Sequence, residues 1–296
     1  MKAVGWRVGI DLGGTSLRLL AENASGDRTK VVTMPTARDY SSLLDQIETQ
    51  LGTLIDGDLL SIGFGICGTS DGTRPLFVPA LPWIEQRALG EDLSHRFSAS
   101  VVIGMDGHYT LLAEAMEGSA VGDSSAVLVA DGTGIGGAVM FARKIWRGAH
   151  GSAGSFGWLT CVGGQDDSEH GRFEQVASGT ALTRTADAYR PGWTGVELMA
   201  AARAGDAQAA ALAARFGEAF GRGLAALASM LDPEVIVVAG GISNSMDVLS
   251  PSVDRAMLQY ASPNGRHVPV RPARLGSHAG VIGALLATTV SDEIWL

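Results

Sequence analysis

Apolar and polar positions alternate along the first third of the chain in short runs. Arg7–Asp11 predicts a buried strand that ends in the turn Gly13-Gly14-Thr15. Leu17–Glu22 and Thr29–Met34 predict two more strands, joined by the hairpin signal Asn23-Ala24-Ser25-Gly26-Asp27. Tyr40–Leu54 then changes period. Leu43, Leu44, Ile47, Leu51 and Leu54 fall on one face of an amphipathic helix. Leu60–Ile66 predicts a buried strand, Cys67–Thr73 a loop, Ser100–Ile103 a strand and Tyr109–Met116 a helix. A second unit of the first kind follows, with strand Ala126–Ala130, glycine loop Asp131–Gly137 and strand Ala138–Ile145. A strand, a glycine turn and a strand therefore occur twice. Towards the end, Leu212, Phe216, Phe220, Leu224, Leu227 and Leu231 form a helical stripe that reads as core. Asp232-Pro233 stops that helix, and Val235–Ala239 predicts a buried strand running into Gly240-Gly241. Gly280–Thr289 predicts a helix of small residues that packs back on the first domain.

Composition narrows the classes. The chain has 296 residues, 46% hydrophobic, enough for two domains with cores of their own. A formal net charge of −9 argues against nucleic-acid binding, which needs clustered Lys and Arg. Two cysteines, Cys67 and Cys161, make neither a disulfide framework nor a CxxC metal motif. No apolar run reaches the roughly 18 residues that span a bilayer, and Asp11 arrives before a signal-peptide core develops. A cytoplasmic protein without membrane partners is expected. Glycine is the outlier, with 40 residues, about twice its usual share. These glycines have no collagen period, so they mark tight turns and close approaches of backbone to a ligand.

Three glycine loops carry the chemistry. In Asp11-Leu12-Gly13-Gly14-Thr15, backbone N–H groups and the Thr15 hydroxyl can face a phosphate, and Asp11 can hold Mg²⁺ directly or through water. Alone, it reads equally well as an ordinary hairpin. The second loop holds a GxGxxG at Gly132, Gly134 and Gly137, with Thr133 inside it. A strand follows where a dinucleotide site needs a helix, and no GxxxxGK[ST] exists, so neither a Rossmann site nor a P-loop is expected. Gly240-Gly241 ends the third strand. Asp106, between a strand and a helix, can take a proton from an attacking hydroxyl, although by itself it reads better as a helix N-cap.

With these segments assembled, the chain resembles the ROK family of sugar kinases and repressors, within the actin, Hsp70 and hexokinase-like ATPases. The resemblance runs from Val8 to about Ala287. It rests on Gly9–Thr15, Gly65–Gly68, Leu81–Trp83, Gly132–Gly137, Arg147–Gly151, Glu174–Gly179, Leu231–Gly241 and Leu275–Gly283. It implies an α/β, two-lobed actin-like (ribonuclease H-like) fold with a central cleft, in which ATP and Mg²⁺ bind. Residues 1–106 would form the N-terminal lobe, completed by 277–296, and 107–276 the C-terminal lobe. By this likeness Gly13, Gly14 and Thr15 contact phosphate, as do Thr133 and Gly134, while Gly240 and Gly241 lie near adenosine and Asp106 is the base. The family's repressors carry a helix-turn-helix ahead of the first strand. Here the strand opens the chain, so a DNA-binding role is not expected. Homodimers are common in the family, and the apolar stripe permits one.

The sugar side departs from the family pattern. Asn is usual before the base, where this chain has Met105; Glu and His are usual in a GExGH run, where it has Ser155 and Trp158. An Asn usual before Leu81-Pro82-Trp83 is Ala80, and Glu174 alone remains of the expected sugar ligands. The family's zinc motif is reduced to Cys161, with Arg172 where its last Cys would fall and His170 nearby, so no zinc is expected. Lost hydrogen-bonding groups imply a changed substrate, since a site built for a hydroxyl leaves polar groups unpaired without it. Three readings follow: a carbocyclic polyol (a cyclitol), an amino or acylated sugar stacked on Trp158, or ordinary glucose in a rearranged site. A substrate other than glucose is favoured, with the cyclitol first. The rival class is a sugar or nucleotide sensor that keeps the fold without catalysis, against which Asp11, Asp106 and the intact loops count.

Overall fold

Strand β1 (Trp6–Leu12) explains much of the first unit by its period of two. Val8, Ile10 and Leu12 point to one face and are fully buried with Leu43, Ile47 and Leu51 of α1 (Tyr40–Leu54). Ile62, Phe64 and Ile66 of β4 (Leu59–Ile66) do the same. On the opposite face stand Gly9 and Gly63, and over them lies α9 (Ala279–Ala287). A Cβ on Gly63 would stand 1.8 Å from the Ala284 carbonyl oxygen, so the helix backbone occupies the space a side chain would take. The same closeness holds within the helical layer, where a Cβ on Gly283 would meet the carbonyl oxygen of Tyr109 in α3 (Asp106–Glu117) at 1.7 Å.

The computed structural model describes residues 5–160, 163–165 and 171–296. The chain divides into two units. One comprises Met1–Gly118, Lys144–Ala153 and Ser277–Leu296, the other Ser119–Arg143 and Gly154–Gly276. The sequence reading placed the first break before α3. In the structure α3 stays with the first unit because it packs on α9, and so does the segment Lys144–Ala153.

In the first unit the sheet order is β3 (Val32–Pro35), β2 (Ser16–Asn23), β1, β4 and β7 (Ser100–Met105). β1 pairs antiparallel with β2 and parallel with β4, which pairs parallel with β7. α1 leads from β3 to β4. Between β4 and β7 come a short hairpin of β5 (Thr69–Ser70) and β6 (Pro75–Phe77) and helix α2 (Leu89–Phe97). The second unit repeats the scheme. β8 (Ala126–Asp131) pairs antiparallel with β9 (Ile135–Phe141) and parallel with β11 (Val235–Gly240), which pairs parallel with β12 (Val270–Pro272).

Two expectations change. The strand expected over Ala138–Ile145 is broken at Ala142 and Arg143, with φ of +48° and +61°, so that β9 ends and β10 (Lys144–Trp146) begins. No glycine marks that turn, which hid it. The helix expected from Tyr109 begins at Asp106.

The rest of the second unit is helical: α4 (Arg172–Ala177), α5 (Gly179–Tyr189), α6 (Gly195–Arg203), α7 (Ala207–Leu231) and α8 (Met246–Tyr260). α7 opens on Asp206, whose carboxylate accepts from the N–H groups of Gln208 and Ala209, and it stops at Asp232 with φ +43° before Pro233. Phe216, Phe220, Leu224 and Leu227 of its stripe are buried, and Phe220 stacks on Phe173 at 6.0 Å. Leu212 and Leu231 are half-buried. Among the described residues no helix is long and apolar enough to cross a membrane.

A side chain at position 63 must displace the α9 backbone. Gly63→Val is expected to lower unfolding free energy by about 3 kcal/mol or more in urea titrations. Gly52→Ala, on the open surface of α1 with nothing within 4 Å, is expected to raise it by about 0.5–1 kcal/mol. Equal effects would contradict the packing described.

Candidate functional site

Register carries the first half of the site. Leu12, Ile66 and Met105 are level across β1, β4 and β7, so the three parallel strands end together. Just beyond or at those ends come Asp11, the turn Gly13–Thr15, Cys67 and Asp106. In open α/β sheets ligands bind at this carboxyl edge.

Asp11 lies opposite Arg18 on β2, and its Oδ2 accepts from Arg18 Nη1 at 3.1 Å. A Cβ on Gly280, at the N-terminal end of α9, would stand 3.0 Å from the Asp11 carboxyl carbon, so Asp11 also faces a helix start. Burial raises its pKa above the ordinary value, against the pull of Arg18. Gly14 and Thr15 are exposed at the tip of the β1–β2 turn, and the turn is closed by Gly13 N–H donating to Ser16 O at 2.9 Å. Thr36 Oγ1 donates to Gly13 O at 2.7 Å and fixes it from the side.

Asp106 is half-buried. Burial first, then the negative charge of Asp11, raises its pKa to about 7. The N-cap reading is corrected. Met105 is the N-cap of α3, without a side-chain bond, and Asp106 is the first helical residue, its Oδ1 accepting from Gly107 N–H at 2.7 Å. Cys67 is pushed up to about 12 by burial and by Asp106 and Asp11, which places the thiol among the same carboxylates in its neutral form. The glycine-flanked segment Gly65–Gly68 was legible as a motif, but the position of the thiol required the strand register.

Beside Asp106 a pocket of about 400 Å³ is lined by Asp71, Met105, His108, Arg147 and His150, with neighbouring loop residues. Met105 brings an apolar thioether there. His108 is buried, its Nε2 lies 2.8 Å from the Ala153 carbonyl oxygen, and burial lowers its pKa to about 4. Arg147 lies over the Trp295 ring at 4.0 Å. Sequence reasoning had not singled out His108, Arg147 or His150 as individual ligands. Ala80 lies close to the first glycine turn, where a Cβ on Gly14 would meet its methyl at 3.2 Å.

The second unit holds the other glycine loops. Thr133 and Gly134 form the β8–β9 turn, with Thr133 exposed. The turn is tied to the start of α5 by Gly179 N–H donating to Gly132 O and to Asp131 Oδ1, each at 2.9 Å, and by Thr180 Oγ1 donating to Thr133 O at 2.6 Å. Glu174, expected as a sugar ligand, accepts from Ile135 N–H through Oε2 at 2.8 Å and braces this loop. A Cβ on Gly134 would stand 2.2 Å from that same oxygen, so a side chain there would push the Glu174 carboxylate off its bond to Ile135 N–H. A pocket of about 320 Å³ opens over Thr133, Gly134, Glu174, Ser178 and Arg184. A second, of about 180 Å³, lies between Gly241–Ile242, Leu182 and Thr194–Val196, floored by Asp131 and Gly179. Gly240 leaves β11 at φ +83° and would place a Cβ 2.0 Å from Asp131 O. Asp131 is fully buried and its Oδ2 has no hydrogen-bond partner among the described residues; burial raises its pKa well above its ordinary value. Its position inside a glycine motif gave no signal of that burial. Ser155 is exposed, and Trp158, on a short helical turn, is 54% exposed.

Cys161 and His170, the remnants of the zinc motif, lie outside the described residues. Among the described residues no cluster of three His, Cys, Asp or Glu able to hold a metal is present. Asp11 offers hard oxygen to a cation that brings phosphate oxygens with it, the donor set Mg²⁺ takes in nucleotide sites, where one or two carboxylates suffice.

A family model described as the ROK family matches residues 7–289. The chain belongs to the ROK family. It is 28% identical over 319 residues to a glucokinase of Streptomyces coelicolor, covering 98% of this chain and all of that protein. It is 27% identical to an N-acetyl-D-glucosamine kinase of Photobacterium profundum, covering 93% and 97%. A crystal structure of a ROK family glucokinase from Streptomyces griseus, in complex with glucose and AMPPNP, shares its fold with a TM-score of 0.81 at 27% identity, covering 96% and 99%. The α/β actin-like fold expected from the motifs is the fold of these ROK proteins.

A carboxyl whose folded-state pKa exceeds its ordinary 3.8 costs stability once pH rises above that value, and the cost grows until pH passes about 7. Asp106→Asn keeps an oxygen for Gly107 N–H and removes the charge. The variant is expected to melt above the wild type at pH 8, with the difference vanishing near pH 4. A variant melting lower at pH 8 would contradict the raised pKa.

Proposed function

We propose that this chain is an ATP-dependent kinase that phosphorylates a hydroxyl of a sugar or sugar-like polyol. The observation that carries the reading is Asp106, a carboxyl at the end of β7 whose pKa is raised to about 7 in a member of a family that includes sugar kinases. Phosphoryl transfer needs positioning, charge neutralisation and a group to accept the acceptor's proton. Asp106 in its ionised form takes the proton from the attacking hydroxyl. The hydroxyl oxygen bonds to the γ-phosphorus, the bond from that phosphorus to the β,γ-bridging oxygen breaks, and ADP leaves.

The remaining roles follow from donors and space. Gly13 shapes the first turn through its bond to Ser16 O and lets phosphate approach, while Gly14 and Thr15 present N–H and hydroxyl donors on the first unit, as do Thr133 and Gly134 on the second. The slot of about 180 Å³ beside Gly240 and Gly241 suits the adenosine. Asp11 would hold Mg²⁺, directly or through water. That ion neutralises charge on the phosphates when bound. Glu174 supports the loop whatever else it touches. Met105, Ser155, Trp158 and Glu174 are assigned to the substrate side.

The preferred substrate is not plain glucose. Met105 sets a thioether beside the base, Ala80 a methyl beside the first turn, and Trp158 an open aromatic face. Each takes the place of a group that would hydrogen-bond a sugar hydroxyl. A carbocyclic polyol is favoured, with a modified hexose second. Glucose in a rearranged site is the remaining alternative, and the names of the relatives keep it in the test.

Turnover with glucose, N-acetylglucosamine and a C7 cyclitol, followed by mass detection with ATP, tests the substrate. A cyclitol preferred over glucose is expected, and glucose preferred over both would overturn that choice. Asp106→Asn is expected to cut turnover about 10²–10⁴-fold while AMPPNP still binds, and wild-type turnover is expected to rise with pH through about 7. Turnover retained in the variant would remove Asp106 as base. ATP binding with no product from any acceptor would favour the sensor reading.

A further inference from the structure

A cavity of about 670 Å³ in the second unit has been given no role in the chemistry above. It lies between α5 and α7 with the end of α4. Its apolar side is made by Leu212 and the buried Phe216, and Tyr189 stands at its wall. Its charged groups are Arg184 and Arg215, and among the described residues no carboxylate lines it. That is unusual for a chain of net charge −9. Arg215 has no hydrogen-bond or ion-pair partner among the described residues. Glu218, one turn further along α7, is occupied with Arg222 at 2.7 Å. Tyr189 donates to Asp206 at 2.9 Å, so that carboxylate is engaged as well.

We infer that this groove is a second ligand site for a small organic phosphate monoester, adjoining the pocket over Thr133 and Gly134, with Arg184 and Gln175 as the shared wall. Two guanidinium groups in a groove that no described carboxylate lines suit a dianion, and guanidinium forks match phosphate oxygens two at a time. The apolar side takes the organic body, which inorganic phosphate lacks. Binding here reaches the glycine loop through a short chain of bonds. Arg184 Nη2 donates to the Gln175 carbonyl oxygen at 2.7 Å, and Gln175 follows Glu174 in α4, whose Oε2 holds Ile135 N–H. A phosphate that draws Arg184 away releases α4 and loosens the brace on Thr133 and Gly134. The site is therefore inhibitory, and by linkage the nucleotide weakens the phosphate as much as the phosphate weakens the nucleotide. The inhibitory sign rests on the kinase reading, whereas the binding itself does not.

The test is calorimetric titration of the full chain with phenyl phosphate, inorganic phosphate and AMPPNP, on the wild type and on Arg215→Ala, an exposed position outside the proposed machinery. Phenyl phosphate is expected to bind more tightly than inorganic phosphate. Arg215→Ala is expected to weaken phenyl phosphate about tenfold or more and to leave AMPPNP affinity and turnover unchanged. Saturating AMPPNP is expected to weaken phenyl phosphate without abolishing it. No binding of phenyl phosphate, equal binding of inorganic phosphate, or an unchanged affinity in the variant would each overturn the site. So would a concentration-dependent dimer in sedimentation that buries the groove and excludes the ligand. Absent turnover in a wild type that binds phenyl phosphate as described would overturn the kinase reading and leave this one standing.

Discussion

Asp11 and Asp106 sit at the carboxyl ends of β1 and β7, with β4 alone between those strands, and the charge of Asp11 raises the cost of ionising Asp106. Several features of the first unit keep them there. The level ends of three parallel strands set their height, Arg18 and the start of α9 hold Asp11, and the first turn of α3 holds Asp106. That arrangement needs α9 pressed against the sheet, and hence glycine at positions 9, 63 and 283, where a helix backbone replaces side chains. The glycine content noticed in the sequence thus has two separate causes. Some glycines turn loops toward phosphate, and others let a helix lie flat on strands.

The second unit uses the same hairpin to different ends. Its glycine turn presents backbone donors, and bonds from Gly179, Thr180 and Glu174 fix the turn instead of a sheet edge. Glu174 shows how a residue can belong to a motif for a structural reason. One of its oxygens holds a backbone N–H of the loop, and a side chain at Gly134 would have to displace that oxygen. Asp131 is the opposite case. Its buried, unpaired Oδ2 destabilises the strand end on which it stands, and the adjacent pocket is where a bound group would relieve it.

Much of this was legible in the residues, and what was not has a physical cause. Period and turn residues located β1, β2, α1, β4 and the stripe of α7, because each has a strong amphipathic or apolar signal. The glycine loops and the acid at 106 pointed to the candidate site, since motif order is preserved in the chain itself. The turn at Ala142–Arg143 was missed because positive φ at both residues is imposed by the strands it joins. The helices from Arg172 to Arg203 are 6 to 11 residues long and were not located, and the capping box of Thr194 and Glu197 that opens one of them went unread. The thiol of Cys67 beside the two acids, and the pocket of His108 and Arg147, depend on register and on loops distant in sequence. No local pattern encodes those.

The central claim is that Asp106 keeps its proton to near neutral pH because its carboxyl is withdrawn from water and lies near the charge of Asp11. Carboxyl carbon NMR across a pH titration reads this directly, with Asp11→Asn as the comparison. Asp106 is predicted to titrate near 7 in the wild type and distinctly lower in the variant. Titration near the ordinary 3.8 in the wild type, or a value untouched by the loss of the Asp11 charge, would contradict the account.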